Sequence, residues 1–235
     1  ENMAGLSSPP TATRFAMHAG SARRIWLIRA LLLALPFAFA AQPARAANPA
    51  ETFIDQNVQK GLAILANQSL SDTQRKAQFR TFLLGLTDLD RIALFTLGPA
   101  KRTASDADKA AFVDAFREFA ISIYETRLTS YSGQTLKVTG SQTTGRGDTI
   151  VQTTLIDPHA SNNQPLPVAF RVSNTNGKMV VIDVNVLGVW LAIEERDQFS
   201  SFLGDHGNSV PALVAHLKEL TVQMRNGGPL PGQKQ

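Results

Sequence analysis

Between Val180 and Leu203 the apolar residues change their period. Val180, Ile182, Val184 and Val186 alternate with Val181, Asp183 and Asn185, the pattern of a half-buried strand. Past Gly188 the period becomes helical, with Trp190, Ile193, Phe199, Phe202 and Leu203. A strand with an apolar face that runs straight into a helix can form one wall of an apolar cavity. No nucleophile or metal-ligand cluster stands on it. The expectation is a site that holds a hydrophobic molecule.

The N-terminal region predicts where that site operates. Arg23, Arg24 and Arg29 precede an apolar run of 12 residues from Ala30 to Ala41, followed by Ala44-Arg45-Ala46. Basic region, short apolar core and Ala-x-Ala describe a secretory signal. The run is too short to span a bilayer, which takes roughly 20 residues. Residues 1–46 are therefore expected to be an N-terminal extension and cleavable signal, cut after Ala46, with Met17 as its natural start. The residues around Arg23-Arg24 fit a twin-arginine signal poorly, which favours the general secretory route. In a Gram-negative cell the destination is the periplasm.

Charge and cysteine content narrow the function classes. The chain has 23 basic and 19 acidic residues, and 1–46 hold five of the former and one of the latter. The mature part is left with 18 of each and no net charge. Nucleic-acid binding needs surplus positive charge, so it is excluded. Without cysteine there are no disulfides, thiolate metal sites or Cys nucleophiles. A domain of 189 residues buries enough surface to stand without them.

Helices fill the first half. Ile54, Val58, Gly61, Leu62 and Leu65 recur at helical steps; Ser71 with Gln74 and Ser105 with Asp108 read as capping boxes; Asp88 caps a short helix ending at Gly98-Pro99. Phe112, Phe116, Phe119 and Ile123 mark the longest helix. Strands are predicted at Thr135–Gly140, Thr149–Ile156, around Val168–Val172 and at Met179–Val186, and helix resumes from Trp190 and again after Ser209. The expected layout is α+β: residues 47–225 as one domain, an antiparallel sheet of about four strands packed against helices, and 226–235 as a disordered tail.

Candidate chemistry is sparse. His159, His206 and His216 lie apart, and none has a partner at metal-ligand spacing. No phosphate loop, Gly-x-Ser-x-Gly turn or His-Glu-x-x-His occurs. Arg146-Gly147-Asp148 matches the integrin tripeptide but sits where a hairpin needs glycine. Arg196, between Ile193 and Phe199 on the apolar arc of its helix, is a candidate head-group contact. Its structural alternatives are an ion pair, with Asp183 or Glu125, and a side chain that snorkels to solvent. Asp183 is expected to face away from the valines as a structural partner. No catalytic residue, metal or cofactor is expected.

Phe95-Thr96-Leu97-Gly98 with Arg102, the helix Phe112–Tyr124, Tyr131-Ser132-Gly133-Gln134-Thr135, and Asp183 to Trp190 continuing through Arg196-Asp197-Gln198-Phe199 together resemble the MlaC and toluene-tolerance proteins. The likeness extends over roughly Phe53 to Leu220. It implies a curved antiparallel sheet with an apolar lipid cavity between sheet and helices. It also implies a periplasmic carrier that passes lipid, a phospholipid or a hopanoid, between an outer-membrane lipoprotein and an inner-membrane ABC transporter complex with its substrate-capture subunit. A shuttle of this kind is expected to be a monomer. Many members carry Tyr where this chain has Glu195. With Gly188-Val189-Trp190-Leu191, that departure resembles the hopanoid-biosynthesis-associated HpnM branch, and implies a polycyclic cargo. The expected lining is Phe116, Phe119, Ile123, Val138, Phe170, Val172, Val184, Val186 and Trp190. The competing readings are an enzyme using Asp183 or His159, and a noncatalytic periplasmic adaptor with a solid core, linked to hopanoid or lipid metabolism.

Overall fold

The computed structural model describes residues 48–128, 131–160, 164–175 and 177–228. The expected signal segment 1–46 and residues 229–235 of the expected tail lie outside the described residues. Helices α1 (Pro49–Ala66), α2 (Asp72–Leu86), α3 (Leu89–Thr96) and α4 (Asp106–Leu128) come first. Strands β1 (Thr135–Thr143), β2 (Thr149–Ile156), β3 (Leu166–Thr175), β4 (Lys178–Val186) and β5 (Val189–Trp190) follow, then α5 (Leu191–Asp205) and α6 (Val210–Arg225). The strands form one sheet in sequence order, each pair antiparallel. The α+β layout is thus as expected, with a fifth, two-residue strand.

Local chemistry explains the helix starts. The amide of Gln74 donates to Ser71 Oγ at 3.3 Å while the Ser71 amide donates to Gln74 Oε1 at 2.9 Å. Asp88 Oδ1 accepts from the Arg91 amide at 3.1 Å, Ser105 Oγ from the Asp108 amide at 3.1 Å and Ser209 Oγ from the Ala212 amide at 3.3 Å. Each cap stabilises its helix by about 1 kcal/mol. At Gly61, α1 and α2 approach so closely that a Cβ would come within 3.2 Å of Phe82 Cε1. Glu118 of α4 pairs with Arg80 of α2 and with Arg225 of α6, which ties three helices together.

Two features of β4 depart from simple alternation. Pairing with β3 runs from Val168↔Val186 to Arg171↔Asp183, but the next pair is Val172↔Val181, leaving Ile182 as a bulge. The bulge shifts the strand by one residue, so Val181 shares a face with Val184 and Val186 in place of Val180 and Ile182. The second departure is the tight turn after Val186. Leu187 and Gly188 both have positive φ, 53° and 91°, the sign that a two-residue hairpin requires. It allows Val189 to pair with Val186 and Trp190 with Asn185. Trp190, expected to open the helix, therefore ends β5 and precedes α5.

The apolar interior has two parts. One is helical: Phe112, Phe116 and Phe119 of α4 with Phe199 and Leu203 of α5 and Leu213 and Leu217 of α6. The other joins Ala50 and Ile54 of α1 to Val151, Val172 and Val181 of the sheet. The corner between α2 and α3 is fastened to β4, where the Asp88 amide donates to the Val181 carbonyl at 3.2 Å.

Candidate functional site

A cavity of about 280 Å³ opens where the two cores meet. From the helical core, α4 presents Phe116, Phe119, Ala120, Ile123 and Tyr124, spaced so that they share one helix face. The sheet contributes Val181 and Val184, and the α2–α3 corner contributes Leu83, Leu89 and Ile92. Leu191, Ala192, Glu195 and Gln198 close it from α5.

The predicted lining residues divide between three places. Phe116, Phe119, Ile123 and Val184 border the cavity. Val138, Phe170 and Val172 pack instead within the sheet core, beneath α1. The reason is sheet extent: α1 packs over β1 and β2 while α2, α3 and α5 meet β4, and these three residues join the α1 side. Val186 sits at the β4–β5 turn, paired with Val189. Trp190 stacks against Arg171, whose guanidinium carbon is 4.5 Å from its ring centroid.

Asp183 lies opposite the Val184 side of its strand, as alternation dictates, yet it is buried and borders the cavity. It faces away from the valines as expected, and it is covered on that side because its Oδ1 holds the first turn of α5 against the strand. Trp190 offers α5 no side-chain cap. Asp183 supplies one from the strand, its Oδ1 accepting from the amides of Ala192 at 2.9 Å and Val184 at 2.8 Å. Burial raises its pKa, while those two amides and Arg171 pull it back. Asp183→Ala should destabilise by about 1–3 kcal/mol because both amides lose their acceptor. Asp183→Asn, which keeps an oxygen there, should change stability by less than about 1 kcal/mol in urea unfolding.

Glu195 was not among the expected lining residues. Leu191, Glu195 and Phe199 follow one another at steps of four, which puts the carboxyl in line with the apolar face. That spacing was the available signal. Burial and the neighbouring Glu194 push its pKa up to about 7. A carboxyl with a raised folded pKa costs stability as pH climbs from its ordinary value toward the folded one, and the full cost persists above. Glu195→Gln should therefore stabilise the protein by on the order of 2 kcal/mol at about pH 8 and by far less at about pH 4.5, read by urea unfolding at the two pH values.

Arg196 falls on the other flank of α5. It pairs with Asp197 at 3.0 Å and lies over the exposed ring of Phe95, 5.2 Å from its centroid. It therefore has an ion-pair partner, though neither Asp183 nor Glu125. Other basic groups adjoin the apolar cavity. A polar cavity of about 470 Å³ holds Arg91, Arg146 and Arg171, and it shares Ile92, Asp183 and Ala192 with the apolar one. Arg91 donates to Ser173 Oγ at 2.9 Å, and Arg171 keeps a buried Nε without a partner. Three distant segments supply these arginines, so no local motif announced them.

The histidines have structural places. His206 and His216 stack on Phe202 with centroids 3.9 and 4.5 Å away, and His159 Nε2 lies 3.1 Å from the Ser132 carbonyl. Among the described residues no group of three His, Cys, Asp or Glu could hold a metal ion, and no helix is long and apolar enough to cross a membrane.

The phospholipid-binding protein from Ralstonia solanacearum, solved in complex with a phospholipid, has the same fold. It superposes with a TM-score of 0.65 at 22% identity, over 75% of this chain and 98% of that one. Residues 55–219, which include both cavities' helices and the entire sheet, match the MlaC protein family. The chain belongs to the MlaC family.

Proposed function

We propose that this chain is a periplasmic lipid carrier, exported by the signal at 1–46, and that it shuttles lipid between the outer and inner membranes as the soluble component of an Mla-type ABC transport system. The observation that carries the reading is the pairing of cavities. An apolar one and an arginine-bearing polar one share Ile92, Asp183 and Ala192 as a common wall, the layout an amphiphile requires. Tails would lie against Phe116, Phe119, Ile123 and Val184, with a phosphate toward Arg91, Arg146 and Arg171. Hiding each CH₂ from water stabilises the complex by about 0.8 kcal/mol, so no catalytic group is needed.

The apolar cavity lies near the lower end of the roughly 300–1,000 Å³ range of small-molecule sites. A two-tailed lipid would enter as α5 moves away from α4 and β4, a helix shift of the kind that docking to a membrane partner can drive. Phospholipid is the favoured cargo, since the solved relative binds one. A hopanoid is the alternative that Glu195 and Gly188-Val189-Trp190-Leu191 suggest. The partners would be an outer-membrane lipoprotein and the substrate-capture subunit of an inner-membrane ABC transporter, met by a monomeric carrier.

Native mass spectrometry of residues 47–235 purified from the periplasm, with lipid analysis of the extract, tests this. One phospholipid per chain is the expected result. A hopanoid in its place would assign the specialised branch. Protein that is lipid-free and cannot be loaded would overturn the carrier and leave the adaptor.

A further inference from the structure

The polar side chains that line the apolar cavity are satisfied, with one exception. Asp183 accepts from two amides. Gln198 Nε2 donates to Glu194 Oε1 at 3.0 Å, and Thr87 Oγ1 donates to the Leu83 carbonyl at 2.7 Å. Tyr124 on α4 has an interaction of its own. Glu195 Oε2 is buried and has no hydrogen-bond partner. Buried polar atoms left unpaired are uncommon and call for an explanation.

No cation among the described side chains answers the carboxyl. The cavity is lined by no Lys, Arg or His. On its own helix, Arg196 is turned to Asp197 and Phe95, and Glu194 adds negative charge. Across the cavity β4 presents Asp183, α4 presents Tyr124, and Arg91 of α3 is directed to Ser173. Among the described side chains an ionised Glu195 would meet burial and the charge of Glu194 with no cation beside it, so the neutral form is favoured. A neutral carboxyl keeps an O–H donor, and the nearest open space for it is where cargo lies.

Resting on the carrier reading, we infer that Glu195 is the specificity contact of the cavity: its protonated carboxyl donates a hydrogen bond to an uncharged oxygen of the bound lipid, a hydroxyl or an ester carbonyl. Its ionisation near pH 7 makes that contact dependent on pH. The donor is present below about pH 7 and is replaced by a buried negative charge above it.

The test uses the mature chain and phosphatidylcholine vesicles doped with tritiated hexadecane, 1-hexadecanol or methyl hexadecanoate. These probes share a tail and carry no charge, so the arginine-bearing cavity does not bias the comparison. At about pH 5.5 the alcohol or the ester should bind at least about tenfold more tightly than the alkane, as expected of a buried hydrogen bond. Whichever oxygen compound leads identifies the source of the oxygen. Above about pH 7 its affinity should fall by about tenfold per pH unit. Glu195→Gln, which keeps a neutral donor, should retain the preference and lose the pH dependence. Glu195→Leu should bind all three probes alike.

Equal binding of hexadecane and the oxygenated probes by the natural chain, or a preference that survives Glu195→Leu, would overturn the role of Glu195 while leaving the carrier intact. Uptake of none of the three would overturn both.

Discussion

Ala120→Trp should leave the protein folded and reduce its lipid content at least about tenfold. Ala120 stands on the cavity face of α4, within a turn of Phe116, Phe119 and Ile123, and it is only partly buried. An indole there projects into open space, not into filled core, and occupies much of the 280 Å³ that a tail would use. Each CH₂ displaced forfeits about 0.8 kcal/mol of binding, so exclusion of even two or three groups exceeds a tenfold loss. The stability cost is that of overpacking, at most about 1–3 kcal/mol if the ring meets the far wall. Native mass spectrometry with a thermal melt separates the two effects. Unchanged lipid occupancy in a folded Ala120→Trp protein would place the cargo elsewhere.

Phe199→Ala should destabilise the fold severely while leaving the sheet's own pairing untouched. The ring is 4% exposed and meets Phe112, Phe116 and Phe119 at centroid distances of 6.0, 6.3 and 6.3 Å, all edge-on. Its removal forfeits apolar burial and three aromatic contacts and leaves a void that the α4 rings cannot fill without losing their own packing. The expected loss is about 3–5 kcal/mol, which for a domain of this size lowers Tm by on the order of 10 °C. Circular dichroism melts check it. A loss under about 1 kcal/mol would mean that the helical core closes over the gap, and that the helical wall of the cavity is softer than its packing indicates.

The helices were readable because their signals are local. Ser71 with Gln74, Asp88, Ser105 and Ser209 each sit within three residues of the amide they cap, so the chemistry is written beside the element it starts. The strands were readable as elements, and β2 matched at both ends. What periodicity could not supply is which face a residue takes once a bulge intervenes. Ile182 looks like any other apolar residue of β4, and only pairing with β3 shows it to be the odd one.

The site was harder to read for a related reason. Four lining residues came from one strand and one helix whose periods were plain. Val138, Phe170 and Val172 have the same inward period and differ only in lying under α1, which is a matter of tertiary placement. Arg196 and Glu195 are adjacent, and about 100° of helical rotation decides which meets the cavity; the step of four from Leu191 favours Glu195. Arg91, Arg146 and Arg171 converge from a helix, a hairpin and a strand, so their meeting is a product of topology alone.

The bulge at Ile182 also governs how β4 tolerates a change in length. In a regular strand, deleting one residue turns everything beyond the cut over to the other face. Here the strand holds a surplus residue between the partners of Arg171 and Val172. Removing Ile182 would join Val181 directly to Asp183 and restore plain alternation against β3. Val181, Val184 and Val186 would keep the inner face, and Asp183 would keep its place beneath α5. The strand would lose only the extra bend and twist that a bulge imparts. An insertion has no such reserve, because it would widen an irregularity already present. A shortening of β4 at this point is thus better tolerated than a lengthening of the same size.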